Sequence, residues 1–238
     1  MSYFLSSYVD EYGDTLYTPT TLGYVVSIVV IALLLLACCA IFGAKKKFTA
    51  RPMAFAAMAI ALAFATSNIK LIHMPMGGSV TLLSMFFITL IGYWYGLGTG
   101  IAAAVAYGVL QLIVDPYILT IPQMLVDYIF AFGALGLSGI FSKSKFKFNV
   151  ITCYLIGVLG RYFFAFLSGW IFFGTYASYY GFNSGVVYSL AYNAAYIAPE
   201  VGITVAVLVI PPVRKALAYV KRLATGENDN KKVATKEA

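Results

Sequence analysis

Charge is what this chain has least of. Asp, Glu, Lys and Arg make up 11% of its 238 residues, against about a quarter in an ordinary soluble domain. With 61% of residues hydrophobic, that shortfall excludes a soluble globular domain and implies a polytopic membrane protein. Histidine is nearly absent as well: His73 stands alone, so no H-E-x-x-H zinc motif can be built. The three cysteines, Cys38, Cys39 and Cys153, lie in apolar runs with neither paired metal spacing nor a disulfide framework, and are expected to be inert packing residues. There is no G-x-x-x-x-G-K-[ST] phosphate loop and no G-x-S-x-G elbow. No catalytic apparatus and no cofactor are therefore expected, and any ATP hydrolysis linked to this chain must take place on other subunits. Nor are there two similar halves of the kind that many secondary transporters carry.

What is abundant is uninterrupted apolar sequence. A bilayer span needs about 20 such residues, and runs of that kind fall at Leu22–Phe42, Pro52–Ile69, Val80–Gly96, Leu97–Val114, Ile121–Phe141, Val150–Phe173 and Val186–Pro212. The expected fold class is all-α, a polytopic membrane helix bundle. Lys45, Lys46, Lys47 and Arg51 follow the first run, Lys143, Lys145 and Lys147 follow the fifth, and a further cluster beginning at Arg214 follows the last. With an odd number of spans all three clusters share one face. The positive-inside rule makes that face cytoplasmic and puts the acidic N-terminus, with Asp10, Glu11 and Asp14, outside. The formal charge of +7 is thus a topology signal concentrated beside the bilayer, and no nucleic-acid partner is implied. The polar tail is expected to be disordered.

Among these runs Asp127 is the anomaly, a carboxylate inside Ile121–Phe141. An ionisable residue within the hydrocarbon costs roughly 2.5 kcal/mol or more on insertion scales, which makes it a functional-site candidate with a partner to be found. At 1.5 Å per residue, Asp127 sits roughly 9 Å below the outer end of its helix. Tyr188 and Asn193 open the last span at similar depth, and Gly77-Gly78-Ser79 lies at the outer start of another. The aromatic stretch 174–182 could roof an outward-facing pocket there. Arg161 and Glu200 are deeper and could pair structurally, relieving the cost of burying both. That pairing would leave Asp127 to an organic cation, with Tyr128 and Tyr188 as aromatic walls. Small residues recur every fourth position at Ala57, Ala61 and Ala65 and at Gly92, Gly96 and Gly100, which lets helices approach closely.

Two ordered blocks carry a recognisable pattern. One is Gly77-Gly78-Ser79-Val80-Thr81-Leu82 with Gln123-Met124-Leu125-Val126-Asp127-Tyr128, the other Arg161-Tyr162-Phe163-Phe164 with Tyr188-Ser189-Leu190-Ala191-Tyr192-Asn193. In these the chain resembles the ThiT family, the thiamine-specific S components of energy-coupling factor (ECF) transporters, over about residues 50–212. The resemblance implies a six-helix thiamine-binding domain at 50–212. Around it lie an extracellular segment at 1–21, an extra transmembrane helix at 22–43 and a cytoplasmic basic tail at 213–238. It also implies assembly with a transmembrane coupling subunit and two cytoplasmic ATPase subunits in a prokaryotic plasma membrane.

By resemblance, Asp127, Tyr128, Tyr188 and Asn193 match ligand contacts, and Ala57 and Ala61 fall on the stripe that meets the coupling subunit. The chain departs from the pattern at Ala165, where the family has a ligand-contacting histidine, at Phe173, where some members stack a tryptophan, and at Gly78, another tryptophan position. Trp170, one turn from Phe173, could restore stacking. The alternatives are a different thiamine-related pyrimidine or thiazole ligand, a self-contained proton-coupled carrier using Asp127 or Glu200, and a membrane scaffold without a ligand.

Overall fold

A computed structural model describes residues 3, 5–9, 15–22, 25–26, 50–144 and 148–227. The expected span at 22–43, apart from Leu22, Val25 and Val26, lies outside the described residues, together with Cys38, Cys39 and Lys45 to Lys47. Before it, strands β1 (Leu5–Val9) and β2 (Thr15–Pro19) pair antiparallel, Leu5 opposite Pro19.

The rest is helical but for one hairpin, because in lipid each backbone N–H and C=O must be satisfied within its own segment. Helix α1 (Ala50–Ser67) turns a narrow stripe inward, Ala59, Ala63 and Ser67, each one turn from the next. Ala57, Ala61 and Ala65 lie exposed on its outer side. Strands β3 (Lys70–His73) and β4 (Ser79–Thr81) then form a hairpin. Five helices follow: α2 (Ser84–Tyr95), α3 (Leu97–Val114), α4 (Ile121–Gly139), α5 (Asn149–Phe173) and α6 (Gly185–Val209). Among the described residues, α1, α3, α4, α5 and α6 are long and apolar enough to cross a membrane.

Helix α2 is shorter than the expected run from Val80. It has 12 residues, roughly 18 Å at the α-helical rise. Its start is delayed because Val80 and Thr81 pair with β3 and Leu83 takes a left-handed φ of 63°. Helices α2, α3 and α4 meet through glycine. A Cβ on Gly136 would fall 2.3 Å from Ile101 N, and one on Gly100 would fall 2.7 Å from Gly92 Cα. Gly92 and Gly100 thus serve close approach as expected. Gly96, at φ +92°, forms instead the one-residue turn between α2 and α3.

The segment expected as a disordered tail from 213 is a helix, α7 (Pro211–Thr225), ended by Gly226 at φ 73°. Val213, Leu217, Val220 and Ala224 pack on the core at spacings of three and four, an amphipathic pattern hidden under the helix's overall polarity. Lys221 Nζ lies 3.7 Å from the Tyr93 ring centroid and donates to Ser142 O at 2.8 Å. Burial holds its pKa below the usual lysine value. Tyr95 Oη donates to Ala224 O at 3.3 Å, so this basic helix closes the end of the bundle opposite the β3–β4 hairpin.

Candidate functional site

The hairpin end of the bundle encloses a cavity of about 130 Å³, measured as the space open to the centre of a water-sized sphere. Its wall is drawn from the end of α1, the hairpin, and helices α3, α4, α5 and α6. Asp127, Tyr128, Phe173, Tyr188, Asn193, Gly78 and Arg161 all line it, as does the departure at Ala165.

Asp127 owes its place to an irregular helix. Thr120 caps α4, its Oγ1 accepting from Gln123 N at 3.2 Å. Leu125–Phe130 then form a π-helical turn, a local widening often found at functional sites. Gln123, one turn before Asp127 and 1% exposed, donates from Nε2 to Asp127 Oδ2 at 2.6 Å and to Tyr117 O at 3.1 Å. Its Oε1 accepts from Leu119 N at 3.0 Å. Tyr128 Oη accepts from Tyr117 N and donates to Asp115 O, both at 2.8 Å. The α3–α4 loop is thereby tied to the residues around Asp127. A Cβ on Gly108 would lie 1.9 Å from Tyr128 O, so glycine there is what lets α3 sit against the π turn.

The hairpin covers the cavity from above. Met76 (φ 60°) and Gly77 (φ 86°) reverse the chain, and Tyr192 Oη donates to Pro75 O. Tyr188 Oη donates to Met76 Sδ at 3.4 Å. A Cβ on Gly78 would stand 3.0 Å from Tyr192 Oη and from Tyr196 Cδ1. Lys70 bonds Asp115 Oδ2 at 2.5 Å, joining hairpin to α3–α4 loop at the rim. The expected lid at 174–182 contributes no wall residue: Tyr180 stacks on the Tyr188 ring at 5.6 Å and Phe182 meets it edge-on at 5.7 Å. Phe173 lies 6.0 Å from the Tyr117 ring.

Asn193, 4% exposed, fixes α6 to α5: its Nδ2 donates to Ala165 O at 3.2 Å and to Ser189 O at 2.9 Å, and its Oδ1 accepts from Tyr196 Oη at 2.8 Å. Trp170 does not join the site. It is 48% exposed and stacks on Phe166 outside the cavity wall.

The expected Arg161–Glu200 pair is not formed. Glu200, 2% exposed, accepts from Thr81 Oγ1 at 2.6 Å, Ser84 Oγ at 3.2 Å and Met85 N at 3.0 Å. It therefore sits on the N-terminus of α2, where the unpaired N–H groups and helix dipole hold a carboxylate without a basic residue. Arg161 instead places its guanidinium 4.1 Å from the Phe132 ring centroid, inside the cavity that Asp127 lines. Charges on the wall are thus balanced, Lys70 and Arg161 against Asp115 and Asp127. Asp127 is not a lone anion awaiting a cation. Gln123 holds one of its carboxylate oxygens, and the Ser168 hydroxyl lies beside the carboxylate as a second partner.

Gln123, Lys70 and Asp115 also line the cavity and were not among the residues expected from the sequence. Gln123 had a visible signal, the one-turn spacing to Asp127 on the same helix.

Comparison with known proteins extends these observations. The family described as thiamine transporter protein (Thia_YuaJ) matches residues 53–220, which takes in α1 to most of α7. The chain is 35% identical over 144 residues to the thiamine transporter ThiT of Bacillus subtilis (strain 168), a match spanning 54% of this chain and 72% of that protein. It also superposes on the solved structure of ThiT from Listeria monocytogenes with a TM-score of 0.55 and 25% identity, covering 68% of this chain and 94% of that one.

Proposed function

Because this chain belongs to the thiamine transporter protein family, we propose that it is a thiamine-binding S component of an ECF importer. It holds the vitamin in the cavity under the β3–β4 hairpin and delivers it through a coupling module whose ATPases are separate chains. The observation that carries this reading is the constellation at the cavity: a carboxylate, Asp127, with one oxygen held by Gln123 and rings of Tyr128, Phe173 and Tyr188 in the same wall. Asp127 receives the amino-bearing end of the ligand, and the aromatic wall takes its two flat rings. Asn193 lines the site as a hydrogen-bonding group already aligned by Tyr196 and Ser189. Gly78 lets Tyr192 and Tyr196 pack directly against the hairpin backbone over the site, where even a Cβ would crowd both rings.

The proposed orientation places the hairpin end outside. Arg51, Lys143, Arg214, Lys215, Lys221 and Arg222 all lie towards the α7 end, and cytoplasmic placement of that end satisfies the positive-inside rule. The exposed small-residue side of α1, Ala57 and Ala61, supports a close contact with the transmembrane coupling subunit. A second ligand within the same chemical class is favoured by one feature, the methyl group of Ala165 in the wall at a position where the family pattern carries a hydrogen-bonding ring.

The test is titration of the purified protein with thiamine, following intrinsic Tyr and Trp fluorescence, with Asp127→Asn alongside. Saturable quenching lost in the variant supports the reading; equal quenching in both removes Asp127 as the anchor. Uptake by vesicles holding this chain without any ATPase would overturn the coupled mechanism.

A further inference from the structure

Arg161 is a cation of the cavity wall whose donors have no acceptor. On α5 it follows Gly157 and Val158 by one turn and precedes Ala165 by another, and these residues with Ser168 form the buried side of the helix. The side chain therefore projects into the bundle and away from lipid. Its charge reaches Tyr107 on α3, Asp127 on α4, Tyr154 on α5 and Tyr196 on α6, so it stands where four helices converge. The guanidinium rests on the Phe132 ring, 4.1 Å from its centroid. A π turn aligns residues five apart, which brings Phe132 onto the side of α4 that carries Asp127, and both line the cavity. Among the described residues the guanidinium nitrogens of Arg161 make no hydrogen bond and no ion pair, and none of them is among the unpaired polar atoms sealed inside the protein. A planar fork of N–H donors thus opens into the cavity. A charge at this depth calls for a partner.

We infer that Arg161 is a specificity-determining ligand contact on the cavity floor: its guanidinium donates to a ring nitrogen of an aminopyrimidine whose amino group Asp127 receives. The inference rests on the proposed thiamine-binding function and deepens it. Arg161 starts roughly 18 Å from the hairpin end of α5, twice the depth of Asp127 at the α-helical rise, so it meets the deep edge of a ligand held by Asp127. An aminopyrimidine carries a donor and acceptors in one plane, and a carboxylate with a planar guanidinium offers the complement. The other cavity residues of α5 have no side-chain donor to give. Ala165, Gly169 and Phe173 carry none, and the Ser168 hydroxyl is already the partner of Asp127. Ala165 adds only a methyl group to the wall one turn above Arg161. At the position where the family pattern has a hydrogen-bonding ring, this chain leaves donation from α5 to the arginine.

The experiment pairs a protein change with a ligand change. Thiamine, and a thiamine analogue whose pyrimidine is replaced by an aminobenzene ring, are each titrated into wild type, Arg161→Met and Arg161→Lys. Both rings are uncharged at neutral pH and both keep the amino group for Asp127. Loss of the arginine charge acts on the two ligands alike, so the ratio of their affinities isolates the hydrogen bond to the ring nitrogen. The preference of wild type for thiamine over the analogue should fall about tenfold to a hundredfold in Arg161→Met, the range for one hydrogen bond from a charged donor. Arg161→Lys, which keeps the charge without the planar fork, should retain part of that preference. An arginine with a structural role alone would weaken both ligands equally and leave the ratio unchanged. If wild type binds thiamine and the ratio is the same in all three proteins, the inference is wrong and the proposed function stands. If wild type binds no thiamine, both fail.

Discussion

Replacing Glu200 by Ala should destabilise the ligand-free protein strongly, and replacing Arg161 by Met should not. Glu200 accepts from Thr81 Oγ1, Ser84 Oγ and Met85 N. Hydrogen bonds to a charged group are worth about 1.5–3 kcal/mol each, but the three are not lost in full. The hydroxyls of Thr81 and Ser84 already lie 2.6 Å apart and can bond each other. The uncompensated loss is the bond from Met85 N and the interaction of the carboxylate with the α2 dipole, roughly 3–5 kcal/mol with the cavity left by the side chain. At about 2–4 °C per kcal/mol for a chain of this size, the melting temperature in detergent should drop by roughly 6–20 °C. Glu200→Gln, which keeps an acceptor oxygen, should lose about half as much. Arg161→Met gives up a cation–π contact worth about 0.5–1 kcal/mol and should melt within roughly 4 °C of wild type. The reasoning is refuted if Glu200→Ala melts with wild type, or if Arg161→Met is equally damaging and the double variant is no worse than either, the signature of an ion pair.

Gly136→Ala should lower stability by about 1–3 kcal/mol or more, because its Cβ would meet Ile101 backbone at 2.3 Å. Gly202→Ala, with nothing within 4 Å, should be neutral or gain up to about 1 kcal/mol; thermal unfolding of the two separates close approach from general glycine effects. Lys70→Met removes the rim ion pair to Asp115, worth about 0.2–1 kcal/mol for partly exposed groups. Stopped-flow measurement should show thiamine leaving up to about fivefold faster. Trp170→Ala should leave thiamine affinity within about twofold of wild type, since the indole is exposed outside the cavity wall. A larger loss by the same titration would restore Trp170 to the site.

The helices and the depth of the site were legible because both follow from apolar run length and rise per residue. Asp127 stood out as a charge in an apolar run, Tyr128, Tyr188 and Asn193 stood out by sharing its depth and by family resemblance, and the four do share one cavity. What depth does not give is the direction in which a side chain points. Arg161 and Glu200 occupy similar depths on α5 and α6, and opposite charges at one depth invite pairing. Their true surroundings are a phenyl ring and the end of a neighbouring helix. The partners that decide these cases are main-chain atoms, which no residue letter announces. Met85 N serves Glu200, while Tyr117 N and Asp115 O serve Tyr128. The π turn that carries Asp127 is equally silent in the sequence, since widening a helix by one residue per turn needs no special side chain. The balance of charge in the cavity follows from these same contacts. Once the α2 N-terminus satisfies Glu200, Arg161 is free to line the wall opposite in sign to Asp127. A ligand is then selected by the pattern of its donors and acceptors more than by its net charge.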